Sequence, residues 1–240
     1  MEEKLIVLYE DNHIIVVVKP HNVPSQADES GDKDMLTMVK EYVKEKYNKP
    51  GEAFIGLVHR LDSPTGGVMV FARTSKAASR LTEQMKEGDF DKSYLAIVCG
   101  KPREQKGKLV NYLKKDPKTN LAKIVPQTEE GAKRAELDYE VLEHNNETNR
   151  SLVKVKLYSG RGHQIRVQMK GIKCPIYGDQ KYGGEGMDKV MLNLFACELS
   201  FYHPTTKQKL IFRVYPPETE SAWNEFRLEK YLSLKTNYDD

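Results

Sequence analysis

The chain has 240 residues, enough to bury a substantial core as one large domain or two small ones. Its 39% hydrophobic and 30% charged content excludes a disordered or fibrous protein, and no apolar run approaches the roughly 20 residues of a membrane span. A net charge of +3 excludes a uniform polycation. The start, Met1-Glu2-Glu3-Lys4-Leu5, lacks the basic n-region and long apolar h-region of a secretion signal, so a cytoplasmic location is expected. Cys99, Cys174 and Cys197 are scattered, form no C-x-x-C and have no His at ligand spacing. A reducing compartment, no structural zinc and three small core residues follow.

Leu5–Tyr9 and Ile14–Val18 read as strands joined at Glu10-Asp11-Asn12 into a hairpin, and Lys19-Pro20 ends the second. Residues 25–34 are polar and loop-like, and Leu36, Val39, Val43 and Tyr47 recur at helical spacing over 35–47. The stretch 59–67, His-Arg-Leu-Asp-Ser-Pro-Thr-Gly-Gly, lies between two Val-rich runs, Gly56-Leu57-Val58 and Val68–Ala72, that fit a sheet interior. A connection carrying a cation, a carboxylate and two glycines between rigid strands is where reactive side chains are commonly displayed.

Ser75 is placed to cap a helix over 76–87 that Gly88 closes. The next strand, Lys92–Val98, sets Tyr94, Ala96 and Val98 on one face and Ser93, Leu95 and Ile97 on the other. From Lys101 to Lys118 the chain carries Lys101, Arg103, Lys106, Lys108, Lys114, Lys115 and Lys118 against Glu104 and Asp116. Such a run is the footprint of a phosphate-binding surface, and composition alone equally allows a solvated lysine-rich loop. Beyond it, Ala135–Leu142 and Leu152–Tyr158 read as strands.

At Ser159-Gly160-Arg161-Gly162-His163 two glycines turn the chain into a short helix carrying Gln164, Arg166 and Gln168. Ile165 occupies the third glycine position of a dinucleotide loop, which rejects that motif. Residues 171–186 form a long turn-rich connection, Val190–Phe201 and Lys209–Val214 read as final strands, and a helix over 219–234 holds Trp223. The C-terminal end leans acidic, with Glu218, Glu220, Glu225, Glu229, Asp239 and Asp240. Many strands with a few unevenly placed helices indicate an α+β fold with a mostly antiparallel or mixed sheet.

Three ordered blocks now carry a resemblance. His59-Arg60-Leu61-Asp62-x-x-Thr65-x-Gly67, Tyr94 within Lys92-Ser93-Tyr94, and Gly160-Arg161-x-His163-Gln164-Ile165-Arg166 resemble the signature blocks of the RluA family of pseudouridine synthases. Pro175-Ile176-x-Gly178-Asp179-x-Lys181-Tyr182-Gly183 is similar to that family too, and the likeness runs from about Leu5 to Tyr215. Gly66 stands where the family often has Ser, and Gln168 where it often has His.

The resemblance implies an α+β fold: a single catalytic domain over residues 1–240, with a central mixed, largely antiparallel sheet flanked by helices and loops, and without the family's frequent N-terminal S4-type domain. It implies isomerisation of uridine in rRNA or tRNA without metal or cofactor, by a monomer with no membrane contact, on a stem-loop whose target base is flipped out. By the same analogy Asp62 is the essential carboxylate, with its role left open among addition to the base, attack on C1′ and removal of a ribose proton. Arg166 pairs with Asp62 and favours its charged form. Tyr94 lies against the base and helps remove the C5 proton. Arg60 enters the stack that the uridine leaves. Ile165 belongs to the wall around the base.

For Arg161 and His163, substrate contact and holding the glycine-rich turn are equally open, and Gln164 is expected to bind substrate. His59 is expected to be a local hydrogen-bonding residue, and Thr65 and the glycines to set the loop. Lys101, Arg103, Lys106, Lys108, Lys114 and Lys115 are the candidates for RNA-backbone contact. Two other readings compete: a glycoside hydrolase, which would use two carboxylates where these blocks offer one, and an RNA-binding factor with a vestigial pocket.

Overall fold

The computed structural model describes residues 5–29, 31–48, 51–183, 187, 190–217 and 222–232. The described chain forms two compact units, one drawn from Met1–Asp91 and Ala196–Val214, the other from Lys92–Phe195 and Tyr215–Ser233.

In the first unit, β1 (Ile6–Glu10) and β2 (Ile14–Lys19) make the expected hairpin, antiparallel from Ile6 opposite Val18 to Glu10 opposite Ile15. Asp11 organises its turn: Oδ1 accepts the His13 and Ile14 N–H groups, and Oδ2 bonds His203 Nε2 at 2.7 Å. β2 pairs antiparallel with β4 (Gly66–Ala72), and the two-residue β3 (Gly56–Leu57) pairs with the far end of β4. β4 also neighbours β10 (Leu194–Tyr202), which pairs antiparallel with β11 (Lys209–Arg213).

Helix α1 (Met35–Lys46) lies where the apolar spacing predicts it and is capped by Asp34, whose carboxylate accepts the Thr37 N–H at 3.1 Å. Helix α2 (Ser75–Glu87) begins one residue earlier than expected. Thr74, in extended backbone, accepts the Ala77 N–H, so Ser75 is the first helical residue and not the cap. Gly88 ends it in left-handed backbone, φ 89°. Ala77 and Leu81 of α2 bury with Ile14, Val16, Val68, Val70, Leu199 and Phe212, a core built from the apolar positions of the strands.

The second unit holds β5 (Asp91–Cys99), β6 (Lys106–Lys115), β7 (Ala122–Val125), β8 (Lys133–Asn145) and β9 (Arg150–Leu157), in the spatial order β5-β9-β8-β6-β7. Each of these neighbouring pairs is antiparallel. Helix α3 (Gln164–Gly171) covers one face, where Val167 packs with Leu113, Ala122, Ala135 and Tyr182. The lysine-rich run is thus largely strand β6, not a loop, and β7 was not foreseen. Lysine has weak strand propensity, and β6 is made a strand by pairing with β8 over Lys106–Leu113 and with β7 over Tyr112–Lys115.

Two expectations change near the C-terminus. Residues 190–193 precede β10 as irregular chain, and the described part of the expected final helix is two 3₁₀ turns, Ala222–Glu225 and Leu228–Lys230. Trp223 is buried within the first. The rest of that helix, and Glu218, Glu220, Asp239 and Asp240, fall outside the described residues.

Candidate active site

Asp62 sits half-buried in the connection from β3 to β4, in the first unit, with Arg60 exposed beside it. The main chain on both sides of the carboxylate is captured by side chains of the segment at the end of β2 and just after it. Lys19, completely buried, donates from Nζ to Ser63 O at 2.8 Å and also to Pro20 O and Val23 O at 2.9 and 2.5 Å. His21 Nδ1 lies 2.8 Å from Pro64 O, a bond that requires the Nδ1–H tautomer. Burial pushes the His21 imidazole below the ordinary histidine range, and the Lys19 charge adds to this against the opposing bond to Pro64. Ser25 Oγ donates to Leu61 O at 2.7 Å and accepts the Leu61 N–H at 3.1 Å.

The turn closes on itself through Thr65 N–H to Asp62 O at 2.9 Å. His59 has the local role expected of it: Nε2 accepts the Val70 N–H at 3.1 Å, and its ring meets Phe90 edge-on. Gly67, with φ 128°, admits no side chain, because a Cβ would fall 2.3 Å from Ala196 O.

Tyr94, Ile165, Arg166, Arg161, His163 and Gln164 belong to the second unit. Tyr94 is buried on β5, on the same face as Ala96 and Val98. Arg166 is buried on α3, and Asp179 grips it bidentately, Nε to Oδ2 at 2.8 Å and Nη2 to Oδ1 at 2.7 Å. The same Oδ1 accepts the N–H groups of Lys181 and Tyr182, each at 3.0 Å. A charge removed from water in this way is tolerable only when paired and hydrogen-bonded, and here both conditions hold. Tyr182 extends the network: its OH accepts the Ala122 N–H and bonds His163 Nδ1, each at 2.7 Å. The Arg166 guanidinium carbon lies 5.2 Å from the Tyr182 ring centroid.

Sequence reasoning left Asp179 and Tyr182 in a supporting stretch and did not name them as holders of the arginine. It missed Lys19, His21 and Ser25 as well. The one available signal was the Gly178-Asp179 step, a carboxylate after a turn residue. For the others no local pattern exists, since they act on residues about forty positions away.

Gln164, expected as a substrate-binding residue, makes three hydrogen bonds within the turn and to β8. Its Oε1 accepts Ser159 Oγ–H at 2.9 Å and the Arg161 N–H at 3.1 Å, and its Nε2 donates to Glu136 O at 3.0 Å. His163 bonds Tyr182 and stands at the N-cap position of α3 in left-handed backbone, φ 57°, without a side-chain capping bond. Arg161 is exposed, with Nε donating to Arg134 O at 3.0 Å. Gln168, the departure from the resembled pattern, is also engaged, through Nε2 to Asn111 Oδ1 at 2.8 Å. Ile165 is buried.

The candidate RNA-backbone residues divide between two faces of the β5-β9-β8-β6 sheet. On the face away from α3, the register aligns Ser93, Lys156, Asp138 and Lys108 in one row and Leu95, Lys154, Glu140 and Lys106 in the next. There Lys106 meets Glu140 at 2.8 Å, Lys108 meets Glu136 at 2.7 Å, and Lys114 meets Glu129 at 3.0 Å. On the α3 face the rows run Lys92, Leu157, Leu137, Leu109 and Tyr94, Val155, Tyr139, Gly107. Lys115, opposite Ala122 of the α3 core, shares that face. Lys101 and Arg103 precede β6 and are exposed. Among the described residues no group of His, Cys, Asp and Glu could hold a metal ion, and no helix is long and apolar enough to cross a membrane.

The chain has relatives among known proteins. The family model of RNA pseudouridylate synthases matches residues 13–170. The dual-specificity RNA pseudouridine synthase RluA of Escherichia coli K12 is 33% identical over 218 residues, covering 88% of this chain and 93% of the relative. An uncharacterized RNA pseudouridine synthase of Aquifex aeolicus is 33% identical over 225 residues, covering 89% of this chain and 70% of the relative. Among solved structures, human RNA pseudouridylate synthase domain containing 4 has a TM-score of 0.74 at 23% identity, covering 89% of each chain.

The chain belongs to the RNA pseudouridylate synthase family, and its relatives place it in the RluA family. It is an RNA pseudouridine synthase, an isomerase that modifies RNA.

Proposed function

We propose that the chain converts specific uridines of rRNA, tRNA or both to pseudouridine, with Asp62 as the essential carboxylate. The observation that carries the reading is the restraint of the main chain around Asp62, at Leu61, Ser63 and Pro64, by three side chains from one distant segment. A group that must meet a reacting carbon gains most from such fixed placement, since small misplacements cost large factors in rate.

In this reading the N1–C1′ bond breaks, the uracil turns while retained, C5 bonds to C1′, and the proton lost from C5 is balanced by one gained at N1. Asp62 acts as an anion in each of the three routes open to it, and Arg166 is the cation that favours that form. The buried Tyr94 keeps its ring against the base, and its phenolic oxygen helps remove the C5 proton. Arg60, exposed next to Leu61-Asp62, fills the gap left by the flipped nucleotide, and Ile165 walls the base. The enzyme acts in the cytoplasm, as a monomer, on an RNA stem-loop.

The test is tritium release from RNA labelled at uridine C5, with tRNA and rRNA assayed separately, for wild type and Asp62→Ala. Release by wild type and none by the variant is expected. Release of free uracil would replace isomerisation by glycoside hydrolysis, and equal release by the variant would remove Asp62 from the chemistry.

A further inference from the structure

The α3 face of the second unit carries two lysines, Lys92 and Lys115, on the side opposite the acidic row of β8, and both stand over the glycine-rich turn. A methyl group built on Gly160 would meet only Lys92 Nζ within 4 Å, at 3.6 Å. One built on Gly162 would meet Lys115 first, whose Nζ and Cδ lie at 3.6 Å. Each glycine of the turn therefore has a lysine ammonium group within van der Waals range of where a side chain would begin.

The turn is rigid without any ligand. Gln164 bonds Ser159 and the Arg161 N–H, Gln164 N–H returns to Arg161 O at 3.1 Å, and the Arg161 guanidinium is tied to Arg134 O. Burial pushes the Lys92 ammonium below the ordinary lysine range. Lys92 and Tyr94 are two residues apart on one face of β5, about 7 Å along the strand.

We propose that Lys92, Lys115 and the Gly160-Arg161-Gly162 turn form a phosphate-binding site for the RNA backbone, taking a phosphodiester close to the nucleotide whose base faces Tyr94. The site rests on the reading of Tyr94 given above. Strand parity is what singles it out: Lys106, Lys108 and Lys114 alternate onto the other face and are neutralised there, whereas Lys115 alternates onto this one. The basic run thus contributes one residue of the expected six to this site, and a second lysine comes from β5.

The experiment measures RNA affinity by fluorescence anisotropy between about 50 and 200 mM salt, with tritium release followed on the same preparations. The RNA is a synthetic stem-loop that wild type modifies. The exposed Lys115→Ala is the folding-safe variant, Lys92→Met keeps the buried stem, and Lys106→Ala and Lys108→Ala are controls from the opposite face. Lys115→Ala and Lys92→Met should each raise KM more than they lower kcat and flatten the salt slope by about 0.7 to 0.9 for each phosphate left without its cation, with the controls unchanged. A wild-type slope in Lys115→Ala, or equal flattening in the controls, overturns the site while tritium release by wild type leaves the isomerase reading intact. Absence of both binding and release with any RNA overturns the two together.

Discussion

The segment bearing Asp62 and the helix bearing Arg166 are held in opposite ways. Around Asp62 the captured groups are main-chain carbonyls and one N–H, gripped by Lys19, His21 and Ser25. Around Arg166 the captured group is the arginine side chain itself, gripped by Asp179. The first arrangement fixes the loop whatever side chain stands at position 62, so that residue can be changed with its surroundings preserved. The second ties the placement of a charge to another buried charge, so altering either partner breaks a bidentate ion pair in a low-dielectric interior.

The largest effect is expected at Asp62. Asp62→Ala should abolish tritium release, a loss of at least about 10²- to 10⁴-fold, while RNA affinity and melting temperature stay near wild type. A large fall in melting temperature would show that the loop depends on its carboxylate after all.

Asp179→Asn should lower both stability and turnover. Breaking a buried ion pair costs about 3–5 kcal/mol, visible as a drop in melting temperature, and kcat should fall further than RNA affinity. Arg166→Met should do the same, and the double variant should be less impaired than the sum of the two, as a double-mutant cycle would reveal. Simple additivity would separate the two residues and deny Asp179 its role as a positioning residue.

Ser25→Ala should cost about 1–3 kcal/mol, since it leaves a buried carbonyl and N–H of Leu61 without their partner. Turnover should fall by up to about 10²-fold with little change in RNA affinity, measured as a kcat against KM split. A shift in KM alone would place the clamp in substrate binding instead.

A smaller effect concerns pH. The folded state holds His21 below its ordinary pKa through burial, so the unfolded chain binds the proton more readily. This contribution is fully present above the unfolded value of about 6.5 and is lost as pH falls through it toward the folded value. Denaturation midpoints between about pH 7 and 5 should decline less steeply in His21→Gln than in wild type. The smallest effect is expected at Lys108→Ala, which removes an exposed pair with Glu136 and should leave turnover and stability unchanged.

Much of this was legible in the chain. The hairpin of β1 and β2, the helix α1, the alternation of β5 and the turn into α3 all follow from apolar periodicity and turn residues that act over a few positions. Asp62, Tyr94 and Arg166 stood out through the blocks that resemble the family, and Gly88 and the Gly160–Gly162 turn through backbone chemistry. The run from Lys101 to Lys118 was legible only as charge. Composition contains no information about which neighbour a strand will find, so neither β6 nor the division of its lysines between two faces could be read from it.

What the sequence by itself determined, then, is the set of candidate residues that the resemblance marks, their order, and the local elements that display them, because the elements depend on propensity and spacing within a few turns of chain. Only the tertiary structure decided that Asp179 holds Arg166, that Lys19, His21 and Ser25 hold the Asp62 loop, and that Gln164 supports the turn and Lys115 borders it. Hydrogen bonds and ion pairs between residues distant in sequence depend on strand register and on which face is buried, and a one-residue slip of β6 would exchange Lys114 and Lys115 between the two faces.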